Sequence, residues 1–299
     1  MVTTTSTPRD IPGIRVGHYT DEIARTGLTV IVFDDMVSTA AEARGAAPGS
    51  LNLAMLQPGM SAQRVDAILL TGGSAYGLRA ADGVMQGLRE AGRGLPFGNT
   101  FVPLVAGAVV FDLAVGDVAF PDAIDGRHAF EEAQPLSAIT SARIGVGTGT
   151  RIGGIRGIGE ARPGGFGVAQ TDLGFGTVTA FAAVNAFGAP AGEGDGDPRE
   201  ALIDRVAQLE IPEQQNTTLI AVVTDIPCPH DTLVRLCVAA HDGLARIIVP
   251  AHTAVDGDVA FASTLKTGEI TRERAMALTV ATELTVEQAV RNAASLPVS

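Results

Sequence analysis

Short apolar runs alternate with longer amphipathic stretches along most of this chain. The runs are rich in β-branched residues and bounded by glycine or polar residues, as in buried strands. The longer stretches carry apolar residues at roughly helical spacing, and the first of them ends at Gly-Arg-Gly, which is typical of a helix stop. The predicted strands are residues 28–33, 65–70, 104–110, 178–184 and 219–223, and the predicted helices are residues 76–92, 199–209, 231–245 and 272–294. The pattern predicts sheets that are covered by helices.

Composition indicates one large folded unit. The chain has 299 residues, of which 46% are hydrophobic and 18% are charged, so it can bury a large core. No obvious linker interrupts the alternation of elements, and we expect a single domain over residues 1–299. The clearest loop is the glycine- and acid-rich segment 191–198.

Charge and hydropathy argue against several partners. The formal net charge is -12, and binding to nucleic acid or to an anionic membrane needs a basic surface instead. The longest nearly apolar stretch, residues 101–111, is too short to span a bilayer, and the N-terminus lacks the pattern of a secretion signal. We expect a cytoplasmic protein without nucleic-acid or membrane partners.

Metal and nucleotide sites are not indicated. Two cysteines cannot form a four-thiolate zinc site. His230, His241 and His252 recur every eleven residues, but Pro250 interrupts any helix that would place them on one face. We interpret His241 and His252 as structural or surface residues. The glycine-rich segment 145–154 lacks both the G-x-G-x-x-G spacing and the Gly-Lys pair of a phosphate loop.

The most informative segment is Asn216-Thr217-Thr218, which leads into the predicted strand 219–223. A threonine hydroxyl is a weak nucleophile at neutral pH, but a free α-amine on the same residue, with a pKa of about 8, can take its proton. Cleavage between Asn216 and Thr217 would create nucleophile and base together on a rigid strand, and the product would be a hydrolase. The alternative is a polar turn before an ordinary strand.

A second polar group is Asp256-Gly257-Asp258. In an extended segment, residues two apart face the same side, so both carboxylates can point into one pocket, orient a hydroxyl and hold an ammonium group. Two like charges this close would also raise the pKa of one carboxyl, which makes it a candidate proton acceptor. The alternative is a simple Asp-Gly turn.

Further motifs accompany these two groups. They are IPGIRVGH at residues 11–18, RTGLTV at 25–30, APG at 47–49 and TGGSAYGL at 71–78. Together with NTT at 216–218 and DGD at 256–258, they resemble the P1 family of peptidases, the DmpA-like aminopeptidases and β-aminopeptidases. Within that family the chain is most similar to the branch that contains the nylon-oligomer hydrolase, and the resemblance spans nearly the whole chain.

The resemblance implies an α/β fold, namely an αββα sandwich of the DmpA and ornithine-acetyltransferase type that resembles N-terminal nucleophile hydrolases. It also implies a precursor that is cut between Asn216 and Thr217 into chains 1–216 and 217–299, which stay associated. A homo-oligomer, most often a tetramer, is implied as well.

The resemblance also assigns roles to individual residues. Thr217 matches the nucleophile, and Asp256 and Asp258 match the residues that complete the triad. Asn185 matches the asparagine that stabilises the oxyanion, and Tyr76 matches a substrate-binding tyrosine of the pocket. Without the resemblance, Asn185 reads as a loop amide and Tyr76 as a buried ring.

One position departs from the family pattern. Members of this branch usually carry a Gly-Lys pair where this chain has Gly153-Gly154, and Gly154 has no side chain to donate a proton or a charge. Arg151 or Arg156 can bring a cation nearby, but a guanidinium stays protonated and cannot relay protons as lysine does.

These observations lead to three hypotheses. The first is a self-processing N-terminal-threonine amide hydrolase that acts on small peptides or ω-amino-acid amides and requires no metal or organic cofactor. The second, motivated by Gly154, is a family member that does not process and serves as a binding or structural protein. The third, ranked last, is an acyltransferase of related fold.

Overall fold

The computed structural model of the chain describes residues 3–194, 196–204 and 216–297. The strands are β1 (Thr3–Thr5), β2 (Ile14–Asp21), β3 (Thr26–Ala43), β4 (Ser50–Leu51), β5 (Arg64–Thr71), β6 (Leu95–Phe97), β7 (Thr100–Val102), β8 (Val105–Val109), β9 (Arg151–Ile152), β10 (Arg162–Pro163), β11 (Gly165–Asp172), β12 (Thr177–Asn185), β13 (Ala189–Pro190), β14 (Thr217–Thr224), β15 (Ile248–Val249) and β16 (Val259–Thr264). The helices are α1 (Ala80–Glu90), α2 (Ala123–Glu131), α3 (Pro198–Asp204), α4 (His230–Ile247) and α5 (Arg272–Ala294).

Within these described ranges, ten strands form one continuous sheet in the order β1-β11-β12-β14-β16-β3-β5-β8-β4, with β2 paired to β3. The long strand β3 joins two halves of this sheet. Its first residues pair with β2 and β5, whereas residues 38–43 pair with β16. We refer to β1, β11, β12, β14 and β16 as the β14 half, and to β2, β5, β8 and β4 with their loops as the β5 half.

The two halves face each other across a shared apolar core. Phe33 and Ile68 from the β5 side pack in the same cluster as Phe181, Leu219 and Phe261 from the β14 half. The sheet therefore folds over on itself, and the space between its halves is filled by side chains.

Helices cover the two outer faces. Val84 of α1 packs with Leu69 of β5, and α2 contributes to the same cluster. On the other side, Leu236 of α4 and Val290 of α5 pack with Ile220 of β14. The layers thus follow the order helix, sheet, sheet, helix, which is the predicted αββα sandwich.

Strand β14 shows how the sequence encodes this arrangement. Leu219, Ala221 and Val223 face the core between the two halves, whereas Ile220 and Val222 face the helices. Alternate residues of a strand point to opposite faces. Because both faces are covered here, the strand is apolar from residue 219 to residue 223 instead of alternating.

The predicted elements are present with shifted ends. Residues 28–33 are the first part of the much longer β3, and the helix at 272–294 has the predicted bounds. The predicted helix 76–92 begins as the 3₁₀ turn Ser74–Arg79 and continues as α1. Helix α3 occupies the start of the predicted helix 199–209, of which residues 205–209 lie outside the described ranges. None of the described helices has both the length and the apolar character needed to cross a membrane.

Candidate functional site

Thr217 is the first residue of β14, and its side chain is 3% exposed. By strand alternation it shares a face with Leu219, so it points into the space between the two sheet halves. There it forms part of the lining of a cavity of about 300 Å³. The candidate nucleophile therefore lies where a small molecule can reach it.

The rest of this cavity is built by the β5 half. Its lining consists of Ala47, Pro48, Gly49, Ser74, Ala75, Val109 and Phe111, together with Thr217. These residues are uncharged, and most are small or apolar. The cavity accordingly suits an uncharged aliphatic group better than a charged one.

Asn185 is the last residue of β12 and lies directly opposite Thr217 in the antiparallel ladder. Such cross-strand neighbours have side chains on the same face. The Asn185 side chain is 2% exposed; its Oδ1 accepts from the Arg151 backbone N–H at 2.9 Å, and its Nδ2 donates to the Phe111 carbonyl at 3.1 Å. These two contacts fix the orientation of the amide group. Among the described contacts, only one of the two N–H groups of Nδ2 is used.

The peptide carbonyl before Thr217 is also held. The backbone N–H of Gly257 donates to the Asn216 carbonyl oxygen at 2.7 Å, and the Asn216 N–H donates to the Val255 carbonyl at 2.8 Å. A hydrogen bond to a carbonyl oxygen stabilises the negative charge that develops there when a nucleophile attacks the carbon. The Asn216–Thr217 bond thus lies in an environment suited to cleavage.

Gly257 is required at its position by close packing. A Cβ atom built on it would lie 2.7 Å from the Thr217 hydroxyl oxygen and 2.5 Å from the Ala47 carbonyl oxygen. Only glycine lets the backbone approach the hydroxyl this closely. Sequence reasoning treated Gly257 as a spacer between two aspartates and missed its contact with Thr217.

Asp256 is 1% exposed, and other groups of the protein donate hydrogen bonds to its carboxylate. Its carboxylate accepts from the N–H and hydroxyl of Thr253 at 2.9 and 2.5 Å, and from the Phe187 N–H at 3.3 Å. Burial, followed by the charge of Asp258, raises the pKa of the Asp256 carboxyl. The contacts with Thr253 belong to a turn that ends at Asp256, because the Asp256 N–H also donates to the Thr253 carbonyl oxygen at 3.2 Å.

Asp258 contacts strand β14 directly. Its side chain is 2% exposed, and Oδ1 accepts from the Thr218 backbone N–H at 2.6 Å. Oδ2 accepts from the backbone N–H and the ring Nδ1 of His252, at 3.1 and 2.8 Å. Both aspartates therefore lie beside the start of β14, as expected, but neither contributes to the cavity lining where an ammonium group would bind.

His252 also contacts this site. The sequence predicts a structural or surface residue, and the fold places its ring against Asp258. The only signal in the sequence was its position in the loop that leads to Asp256-Gly257-Asp258.

Tyr76 takes a different position from that implied for a pocket residue. Its side chain is 56% exposed and stacks on Phe120, with ring centroids 4.9 Å apart. Ser74 and Ala75, just before it, line the cavity instead. Tyr76 is thus close to the cavity in sequence but is not part of its lining.

Gly154 lies beside a residue that supports Asp256. A Cβ atom built on Gly154 would meet the Phe187 ring at 3.5 Å, an ordinary contact distance, and the Phe187 N–H binds Asp256. The guanidinium of Arg151 donates to the Ala161 carbonyl, and that of Arg156 donates to the Glu193 carbonyl.

Comparison with known proteins agrees with this description. Residues 9–296 match peptidase family S58. An uncharacterized aminopeptidase of Mycobacterium leprae is 37% identical over 292 residues, which span 87% of this chain and 78% of the relative. A 6-aminohexanoate-oligomer endohydrolase of Kocuria sp. is 36% identical over 147 residues, which span 48% of this chain and 38% of that enzyme. The assignment to the nylon-hydrolase branch stays a prediction.

Solved structures share the fold. The β-aminopeptidase of Burkholderia sp. superposes with a TM-score of 0.72 and 22% identity, covering 95% of this chain and 84% of its own. The L-aminopeptidase D-Ala-esterase/amidase of Ochrobactrum anthropi, described as a variant of the Ntn hydrolase fold, has the same TM-score and coverage at 19% identity. The layered sheet, the buried threonine at the start of the central strand β14 and the match over nearly the whole length lead to one assignment: the chain belongs to peptidase family S58.

Proposed function

We propose that the protein is a self-processing amide hydrolase in which cleavage before Thr217 creates the N-terminal nucleophile. One observation carries the proposal. The Thr217 side chain lies in the cavity while the carbonyl of the preceding Asn216 accepts a hydrogen bond from Gly257. Nucleophile and scissile bond are therefore adjacent and held in place.

The cleavage step follows from this arrangement. The Thr217 hydroxyl oxygen attacks the Asn216 carbonyl carbon and loses its proton, and Gly257 N–H stabilises the oxyanion. Collapse breaks the C–N bond, and the nitrogen takes up a proton. The result is an ester between Asn216 and the Thr217 oxygen, together with a free α-amine. Water then hydrolyses the ester, leaving a carboxylate on Asn216 and a free hydroxyl on Thr217.

The mature reaction uses the same hydroxyl with a different base and a different oxyanion donor. The α-amine of Thr217 takes the hydroxyl proton, and the oxygen attacks the substrate carbonyl. Asn185 donates its second amide N–H to the oxyanion, a contribution of about 3 kcal/mol in comparable sites. Asp258 fixes the following residue through the Thr218 N–H. Water releases the acyl group, and no step calls for a metal or an organic cofactor.

The substrate is a small peptide or an ω-amino-acid amide whose reacting segment is short and uncharged. The size and neutral lining of the cavity support this, as do the names of the relatives, an aminopeptidase and an oligomer endohydrolase. We further propose that the two-chain unit forms a homo-tetramer in the cytoplasm, without nucleic-acid or membrane partners. Light scattering of the purified protein tests the assembly.

Intact-mass analysis and N-terminal sequencing test the proposal. We expect two chains, the second beginning at Thr217, and hydrolysis of p-nitroanilides of short ω-amino acids. Thr217→Ala should leave one chain and abolish turnover, whereas Thr217→Ser should still process because it keeps a hydroxyl. An unprocessed wild-type chain that hydrolyses these amides as fast as a processed one would contradict the proposal.

The non-processing alternative is motivated by Gly154. If the missing lysine limits the reaction, Gly154→Lys should increase both the processed fraction and the turnover several-fold, since the site has room for a side chain. Gly154→Leu is the matched control for added bulk. A wild-type chain that stays whole and inactive, and is activated by lysine but not by leucine, would favour the binding-protein alternative.

A further inference from the structure

His252 has a left-handed backbone conformation. Its φ is +57°, in a region that few residues other than glycine adopt, although histidine, asparagine and aspartate do so more often than other types. Such strained residues persist where the surrounding structure stabilises them, and they are frequent at functional sites. The conformation of His252 therefore calls for a physical reason.

The reason lies in its contacts with Asp258. In this conformation the backbone N–H and the ring Nδ1 of His252 both reach the same carboxylate oxygen, Oδ2. Because the carboxylate oxygen accepts, Nδ1 carries the hydrogen in this contact. The two donors clamp one end of the carboxylate and leave Oδ1 directed at the Thr218 N–H.

The environment of the ring allows little freedom. His252 packs edge-to-face against the fully buried His241, with ring centroids 4.8 Å apart. Within the described part of the chain, its Nε2 is buried and has no hydrogen-bond partner. The Nδ1 contact with Asp258 is thus the polar interaction that orients the ring.

We infer that His252 is a positioning residue for the proposed reaction. It holds Asp258 in the one orientation that binds the Thr218 N–H, and it thereby fixes Thr217 at the edge of the cavity. This inference rests on the proposed function, since it assigns His252 a role in both self-cleavage and turnover. His252 does not touch the reacting atoms and acts through Asp258.

Two substitutions separate positioning from packing. His252→Asn keeps a donor at the same number of bonds from the backbone as Nδ1, and asparagine tolerates a positive φ. His252→Leu retains apolar volume but has no donor. His230→Leu is the matched control, because the His230 ring contacts the Thr39 carbonyl and not a carboxylate of the site.

The first measurement is kinetic. We expect His252→Leu to lower both the rate of processing and kcat by roughly tenfold to a hundredfold, with little change in KM, because small displacements of a nucleophile cost this much. His252→Asn should recover most of the loss, and His230→Leu should match the wild type. Equal kcat for the Leu and Asn variants would overturn the inference.

The second measurement does not depend on activity. In the Thr217→Ala background, hydrogen–deuterium exchange of the Thr218 amide, followed by NMR, should become faster with His252→Leu and stay slow with His252→Asn. If His252→Leu leaves the exchange rate of the Thr218 amide unchanged, the inference is overturned, even where the protein with Thr217 intact is an active enzyme. A different result would separate the two proposals. If the Thr218 amide exchanges slowly only when His252 is present, but the protein with Thr217 neither processes nor hydrolyses amides, the proposed function is refuted and the role of His252 in orienting Asp258 is retained.

Discussion

The β14 half and the β5 half contribute differently to the cavity at Thr217. The β14 half and its loops provide the groups suited to chemistry, namely Thr217, Asn185, Asp256 and Asp258, which are buried, and the side chains of Asn185, Asp256 and Asp258 are held by hydrogen bonds to other protein groups. The β5 half provides the uncharged and mostly small or apolar residues that line the rest of the cavity. Burying a polar group costs free energy unless the group is hydrogen-bonded, whereas an apolar lining has to match only the shape of what it contacts.

This difference has a consequence for mutation. A change in the β14 half alters hydrogen bonds that orient reacting groups, so it should lower kcat. A change in the β5 half alters the shape of the cavity, so it should raise KM and change substrate preference. Three predictions test this division, beginning with the largest expected effect.

Asn185→Ala should lower kcat by about a hundredfold or more, because an oxyanion donor is worth about 3 kcal/mol. Steady-state kinetics on the processed protein measures this. Gln170→Ala is the matched control, since Gln170 is also a buried amide in the β14 half and is bound to Arg9 and Thr179. Gln170→Ala should lower the free energy of unfolding and leave kcat unchanged. A normal kcat for Asn185→Ala would remove Asn185 from the reaction.

Acid should destabilise the packing of helix α4 on the β14 half through His241, a buried residue of that helix. Burial, with a smaller effect from His252, lowers the pKa of His241 to about 4. A folded-state pKa below the unfolded value of about 6.5 means that its contribution to stability is complete above pH 6.5 and is lost as the pH falls toward 4. By pH 4 the loss amounts to about 3 kcal/mol for this buried side chain.

Urea unfolding of the Thr217→Ala protein between pH 7 and 4.5 checks this. His241→Phe should retain more of its free energy of unfolding at low pH than the parent does. In the β5 half, burial likewise lowers the pKa of His18 to about 4, but that side chain is half-buried, so His18→Phe should have the smaller effect. If His241→Phe and its parent lose stability in parallel, His241 is not the acid-sensitive group.

Ala75→Leu should raise KM by roughly tenfold for substrates that fill the cavity and leave kcat nearly unchanged, because it narrows an apolar space without touching the polar groups. Ala138→Leu is the control, since Ala138 lines a different cavity of about 320 Å³ beside His18 and His128. If Ala138→Leu raises KM and Ala75→Leu does not, the substrate binds elsewhere.

Much of the fold was predictable from the sequence. The apolar runs of β5, β12 and β14 and the helical spacing of α4 and α5 were recognisable because each buries a long, regular pattern. The length of β3 was not predictable, because only its first residues form an apolar run. Its later residues pair with β16, after a register irregularity between Val32 and Val37. Helix α2 was missed because it is short, although Asp122 and Asp125 form a capping box at its start.

The candidate site likewise contains residues that the sequence indicated and residues that it did not. Thr217, Asp256 and Asp258 were recognisable because their residue types and their order resemble a family pattern, and the fold brings them together. Gly257 and His252 were not recognised as contributors. Gly257 contributes because a Cβ atom at its position would lie 2.7 Å from the hydroxyl oxygen of Thr217, which is 40 residues away in the chain. His252 contributes through a contact of 2.8 Å with Asp258, six residues away.

The sequence by itself thus determined sheets that are covered by helices, because hydrophobic periodicity is a local property of a chain, and its short motifs indicated the layered family fold and the residue types that can perform the chemistry. Only the tertiary structure decided which carboxylate contacts strand β14, which histidine contacts that carboxylate and which residues line the cavity. Those relations arise where separate strands and loops meet, and the packing of the two sheet halves sets them.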